Sequence, residues 1–143
     1  MSSAYLLDVN VLLALYDPRH VHHSAARTWF ERVDAWATSP VTETAFVRLL
    51  SNPAVMGEEV TPREAIAALD AVRHAPGHRF LVDDSSLAHA HIDLGALVDH
   101  RQVADFHLIN LAVRAGVRFA TFDARLVAAL SPEDRASVTL IPV

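Results

Sequence analysis

Hydrophobic runs of two lengths succeed one another along the chain. Ala4–Leu7 is apolar, too brief for a helix and cut off by Asp8, which predicts a buried strand. Val9–Tyr16 continues at helical density until Asp17-Pro18 stops it. Val21–Val33 places Ala25, Ala26, Trp29 and Val33 on one helical face, and Ala35–Thr38 predicts a second strand. Ser39-Pro40 opens a helix over Val41–Leu50, with Ser39 or Thr42 as cap, and Asn52-Pro53 closes it. Thr61-Pro62-Arg63-Glu64 combines a capping threonine, a first-turn proline and a glutamate three residues on, predicting a helix to about Arg73. A third strand is expected over Arg79–Val82. Over Ser85–Val98 a short helix and part of another are expected, divided near Gly95. Val103–Ala115 is amphipathic, with Gly116 placed to end it. Phe119–Thr121 predicts a strand, Asp123–Leu130 a helix and Val138–Ile141 a fifth strand. Such alternation predicts an α/β fold, a parallel sheet covered by helices on both faces, with its site at the carboxyl ends of the strands.

With 143 residues and no repeat or linker, one domain over 1–143 is expected. The chain has no cysteine, which removes thiolate metal sites, disulfides and a cysteine nucleophile. All twelve basic residues are arginine. Chemistry needing a lysine is thereby closed: Schiff bases, Walker-type phosphate binding, and phosphotransfer domains that also carry an aspartate after their first strand. A formal net charge of −5 argues against bulk coating of nucleic acid. It leaves room for a nuclease built on carboxylates and a metal. The N-terminal stretch has no basic lead and is interrupted by Asp8 and Asn10, unlike a signal peptide or membrane span, so a cytoplasmic protein is expected.

Four acids fall at equivalent places. Asp8 and Asp123 follow strands, Asp105 opens the long helix, and Glu43 lies in the first turn after the second strand. Each alone is explained as a helix cap, worth about 0.5–2 kcal/mol. Together they are not. Two carboxylates ~5 Å apart repel by roughly 3 kcal/mol at an effective dielectric of 20, more than helix dipoles of at most ~2 kcal/mol offset for a set of four. Either some are protonated or a divalent cation sits among them, and an all-oxygen donor set favours Mg2+, with Mn2+ as substitute. A bound water activated by that ion points to phosphodiester hydrolysis. Asn10 and Thr121 are candidates to support the cluster.

The segments LLDVNVLLAL, TETAFVRLLSNP, HRQVADFHLINLA and FATFD, in this order from Leu6 to Pro142, resemble the PIN-domain ribonucleases, and most closely the VapC toxin branch of toxin–antitoxin pairs. The resemblance implies a three-layer α/β/α fold on a mainly parallel five-stranded sheet. It assigns the catalytic quartet to Asp8, Glu43, Asp105 and Asp123. Asp8 and Asp105 would be metal ligands, with Glu43 and Asp123 acting directly or through water. It further implies a Mg2+-dependent endoribonuclease that leaves a 5′-phosphate and a 3′-hydroxyl on a specific structured RNA, such as tRNA or rRNA. A homodimer and a silencing VapB-type antitoxin are also implied, the antitoxin placing an arginine among the acids from a groove along the helices of 41–73. The competing reading is a catalytically inert PIN-like module that acts by binding protein.

Other residues have plainer readings. Arg48, Arg101 and Arg125, with Arg19, are candidates to hold RNA phosphates. His20, His22 and His23 are not spaced to meet at one ion, nor are His89 and His91; His107, two residues after Asp105, is a candidate for the site rim, with a plainer role favoured. Asp83-Asp84 is expected to cap a helix at Ser85, and Trp29, Phe30 and Trp36 to serve the core or a partner surface.

Overall fold

Residues 4–143 are described by a computed structural model. Its centre is a five-stranded sheet of order β3-β2-β1-β4-β5 with every pair parallel: β1 (Ala4–Leu7), β2 (Ala35–Thr38), β3 (His78–Phe80), β4 (Arg118–Thr121) and β5 (Val138–Leu140). Leu6 stands opposite Ala37 on one side and Phe119 on the other. Because side chains alternate across a strand, Leu6, Ala37 and Phe119 feed one core and Leu7, Trp36 and Ala120 the other.

The second of these cores is covered by α1 (Val9–Tyr16), α2 (His23–Phe30), α3 (Pro40–Leu50), α4 (Pro53–Met56) and α5 (Pro62–Arg73), which contribute Leu12, Trp29, Phe46 and Ala65. The first is covered by α6 (Val103–Ala115), through Phe106 and Ile109, and by Leu126 of α7 (Ala124–Ala129); α8 (Pro132–Arg135) leads into β5. This is the expected α/β/α layering on a parallel sheet.

Local signals act as the sequence predicts in several places. Ser39 caps α3 by accepting the Thr42 N–H, and Thr42 returns the bond to the Ser39 N–H. Thr61 accepts the Glu64 N–H at the head of α5. Gly116 ends α6 at φ 71°, a left-handed conformation that costs a residue without Cβ little.

Four expectations need correction. The helix expected over 21–33 spans only His23–Phe30. The third strand starts at His78 because Trp36 donates its N–H to the Gly77 carbonyl and sets the register. Between 85 and 98 there is no α-helix, only a 3-10 turn at Leu87–His89. Asp83 and Asp84 do not cap it. Asp83 bonds His107 (2.6 Å) and Asp84 pairs with Arg114 (2.9 Å). The segment is instead fixed by side chains from elsewhere: buried Asn110 accepts the His91 N–H, and Asp134 the Asp93 N–H.

Candidate active site

Outward from β1, the chain runs to β2 and β3 on one side and to β4 and β5 on the other. The junction between β1 and β4 is therefore the switch point where a parallel sheet opens a crevice at its carboxyl edge. Asp8 follows β1 and Asp123 follows β4, so both stand at that junction.

Asp8 is only 5% exposed. It occupies the N-cap position of α1, yet its side chain closes no capping bond. Its Oδ2 instead accepts the Thr121 hydroxyl at 2.7 Å. Burial raises its carboxyl above the usual carboxylate range, opposed by the Thr121 bond and the N–H groups of Asn10 and Val9, while the charge of Asp123 adds to the rise. Thr121 also accepts the Asp123 N–H (3.1 Å), so one hydroxyl ties the two strand ends together. Asp123 does cap: its Oδ1 accepts the N–H groups of Arg125 and Leu126. Asp105, in the first turn of α6, is pushed up to about 7 by burial, then by the charges of Asp8 and Asp123. Capping thus accounts for one oxygen of Asp123 and leaves Asp8 and Asp105 unexplained.

The charges of Asp8, Asp105 and Asp123 act on one another, whereas Glu43 turns to other partners. Glu43 is buried in the first turn of α3, where its Oε2 accepts the Thr38 hydroxyl (2.5 Å) and lies 3.5 Å from Arg73 Nε. Its charge is felt at His78, where it opposes the lowering of the imidazole caused by burial and Arg73. It is not among the charges that raise Asp8 or Asp105. Thr38, Arg73 and His78 were missed in the sequence. Thr38 had a signal: like Thr121, it is the polar last residue of an apolar strand.

Among the described residues, no three His, Asp or Glu side chains lie close enough together to ligate one ion jointly. An ion bound here would be held directly by one or two carboxylates and otherwise through water. The donors are all oxygen, and Asp105, raised first by burial and then by the charges of Asp8 and Asp123, has no arginine paired to it among the described residues.

A cavity of about 430 Å3 lies beside the cluster, lined by Asp105, Asp123, Asp99, Arg101, Arg125 and Gln102 among others. It brings two of the expected RNA-binding arginines next to two of the acids, although Arg101 is engaged by Asp99 at 2.6 Å. Arg48 lies elsewhere, on an apolar groove of about 520 Å3 between α3 and α5 with Glu43, Val47, Ile66 and Leu69. Exposed Asn10 reaches the site through its backbone. Among the described residues, no group of three histidines or acids is placed to form a metal centre. His23 Nδ1 is 2.6 Å from the Ala14 carbonyl oxygen, and His22 stacks on Phe122. His107 is turned to Asp83, and Trp29 and Trp36 are core residues.

A parallel α/β sheet with acids at the crevice of its switch point places the chain among α/β proteins with a carboxyl-edge site, and it belongs to one family of that class: the PIN domain, which matches residues 5–129. Within that family it groups with the VapC ribonucleases and is a nuclease of the PIN-domain VapC toxin type. It is 48% identical over 141 residues to Ribonuclease VapC39 of Mycobacterium tuberculosis, spanning 96% of this chain and 97% of that one. Identity to VapC38 of the same organism is 42% over 140 residues, spanning 96% and 98%. Among solved structures, VapC20 of Mycobacterium tuberculosis, described as a Sarcin-Ricin loop cleaving toxin, matches with a TM-score of 0.59 at 20% identity, covering 87% of this chain and 94% of that one. VapBC2 of Rickettsia felis, bound to a DNA fragment from its promoter, matches with a TM-score of 0.59 at 9% identity, covering 89% and 92%. These two likenesses concern the fold.

Proposed function

We propose that the chain is the toxin of a type II toxin–antitoxin pair, a Mg2+-dependent endoribonuclease that cuts a structured RNA such as tRNA or rRNA and leaves a 5′-phosphate and a 3′-hydroxyl. The observation that carries this reading is the Thr121 hydroxyl joining Asp8 to the backbone of Asp123, beside an Asp105 that feels both charges. Asp8 and Asp105 would hold the ion, with Asp123 presenting the carboxylate oxygen its cap leaves free. Mg2+, or Mn2+ in its place, when bound supplies the positive charge that activates water and offsets charge on the attacked phosphate. The chain's own groups do the rest. Thr121 fixes the Asp8 carboxylate, burial keeps bulk water from it, and Arg125 and Arg101 lie on the adjoining cavity wall where a phosphate of the substrate would pass.

The fold neighbour that is a VapBC assembly and the VapC relatives support a VapB-type antitoxin as partner. The apolar groove between α3 and α5, with Glu43 and Arg48 at its edge, is where a partner helix would lie. A homodimer and a cytoplasmic location belong to the same reading; no helix among the described residues is long and apolar enough to cross a membrane.

The deciding experiment is purified protein with bacterial RNA in Mg2+, with sequencing of the new 5′ ends. Cleavage at few sites, bearing 5′-phosphates and absent from folded Asp8→Asn and Asp105→Asn proteins, is the expected result. Full activity in either variant, or no Mg2+-linked rise in Tm for the unaltered chain, would favour the inert binding module instead.

A further inference from the structure

The chain's cations are all arginines, and several are already spent. Arg101 is held by Asp99, Arg114 by Asp84, and Arg19 by Asp17 and Glu58, while Arg135 donates to the carbonyls of Val127 and Ala128. Arg73, at the end of α5, is held differently. Its Nε faces Glu43 at 3.5 Å, its guanidinium lies 5.0 Å over the ring of Phe80, and its side chain stays 40% exposed. A carboxylate on one edge and an aromatic face beneath favour one plane for the fork. The terminal amines make no hydrogen bond among the described residues.

What holds Glu43 reaches into the core. An ionised carboxylate only accepts, so the single proton of the Thr38 hydroxyl goes to Glu43 Oε2 at 2.5 Å. Thr38 Oγ1 is also 2.7 Å from His78 Nε2, which must then donate to it. His78 in turn packs against buried Trp36, ring centroids 4.7 Å apart. Two hydrogen bonds, from the His78 imidazole through Thr38, therefore orient the carboxylate, and the carboxylate pairs with the guanidinium at 3.5 Å.

The place is the carboxyl edge of β2 and β3. With strands about 4.8 Å apart, the end of β3 is ~10 Å from the end of β1 and Asp8. Phe80, 44% exposed, offers a ring beside the arginine. A preoriented guanidinium next to an exposed aromatic ring is the chemistry that holds a phosphate and stacks a base of unpaired RNA. We propose that Arg73 is a substrate-binding residue that grips an RNA phosphate on the β3 side of the cut, and that Glu43 acts as its positioning residue through Thr38 and His78 rather than as a ligand of the ion. The inference rests on RNA being the substrate.

RNA affinity is measured in the Asp8→Asn protein, which binds without cutting, by fluorescence anisotropy with a labelled oligouridylate and a labelled RNA stem-loop over a range of salt. Adding Arg73→Gln weakens binding about tenfold, the loss of one charge-assisted contact, and reduces the log–log salt slope by about 0.7. Arg73→Lys stays weaker than the parent because an ammonium does not reproduce the flat, stacked fork. Glu43→Gln, in the otherwise unaltered chain, raises KM more than it lowers kcat and leaves the Mg2+-linked rise in Tm in place. Unchanged affinity and slope in Arg73→Gln overturns the inference alone, as does loss of the Mg2+-linked rise in Glu43→Gln. Failure of the Asp8→Asn parent to bind either RNA overturns the RNA reading and this inference with it.

Discussion

The Thr121 hydroxyl donates to Asp8 Oδ2 at 2.7 Å from a fully buried position, 113 residues away in sequence. That bond lowers a carboxyl which burial raises. Thr121→Val keeps the shape and removes the donor. The Asp8 carboxyl then rises further, and the acid limb of the cleavage–pH profile moves to higher pH. Stability falls by about 1–3 kcal/mol, the cost of leaving a buried acceptor unpaired. Thr121→Ser restores both. An unmoved profile in Thr121→Val would show that the hydroxyl serves packing alone.

Asp105 gives the metal-free protein a characteristic pH dependence. Its carboxyl titrates near 3.8 in an unfolded chain and about 7 in the folded one. Between those values the unfolded state gives up its proton while the folded state keeps it. The resulting contribution to stability is full below pH 3.8, is lost as pH rises toward 7 and is flat beyond. Denaturant unfolding in EDTA should therefore show stability declining between about pH 4 and 7. Mg2+ at pH 7.5 should recover the loss, and Asp105→Asn should shrink both the decline and the recovery, leaving the smaller part that the raised Asp8 carboxyl contributes. A metal-free protein whose stability rises over this interval, with no response to Mg2+, would contradict the clustering of Asp105 with Asp8 and Asp123.

Asp123 performs two tasks that substitution can separate. Its Oδ1 caps α7, and its charge reaches Asp8 and Asp105. Asn keeps a capping oxygen and Ala does not. Asp123→Asn should lose RNA cleavage by at least tenfold with Tm nearly unchanged, whereas Asp123→Ala should lose cleavage equally and also about 1 kcal/mol of stability. Equal Tm values in the two variants would show that the cap contributes nothing.

The parts of the fold legible in the sequence are those whose signals are local. β1, β2 and α5 fall where a short apolar run, or a Thr-Pro start, places them, and α6 ends on Gly116. The segment 85–98 defeats its own pattern: Leu87, Ala90, Leu94 and Leu97 recur at helical spacing, yet they pack on the α6 side of the sheet from a 3-10 turn and irregular backbone. Its backbone bonds go to Asn110 and Asp134, far along the chain. The same limit applies to the site. Strand-end acids announce Asp8 and Asp123, and the helix start announces Asp105. That Glu43 turns to Thr38 and Arg73 depends on β3 and α5 folding back beside β2, a juxtaposition no short motif encodes.

Gly77 anchors that juxtaposition, since its carbonyl accepts the Trp36 N–H and the next residue is His78. Its φ is +88°, and a Cβ built there would lie 2.2 Å from the Asp34 carbonyl oxygen. Gly116 has a similar φ of +71° with nothing within 4 Å of its built Cβ. The pair separates backbone strain from collision. Gly116→Ala should cost only the left-handed conformation, about 1 kcal/mol. Gly77→Ala adds a clash with backbone that cannot rotate away, and should cost about 3 kcal/mol or more by urea unfolding. Because relief of the clash must move β3 against β2, Gly77→Ala should also disturb the Thr38–His78 bond, visible as a changed His78 imidazole signal in 15N NMR. Equal losses in the two variants would mean that the Asp34–Gly77 approach is free to relax and that β3 is not pinned there.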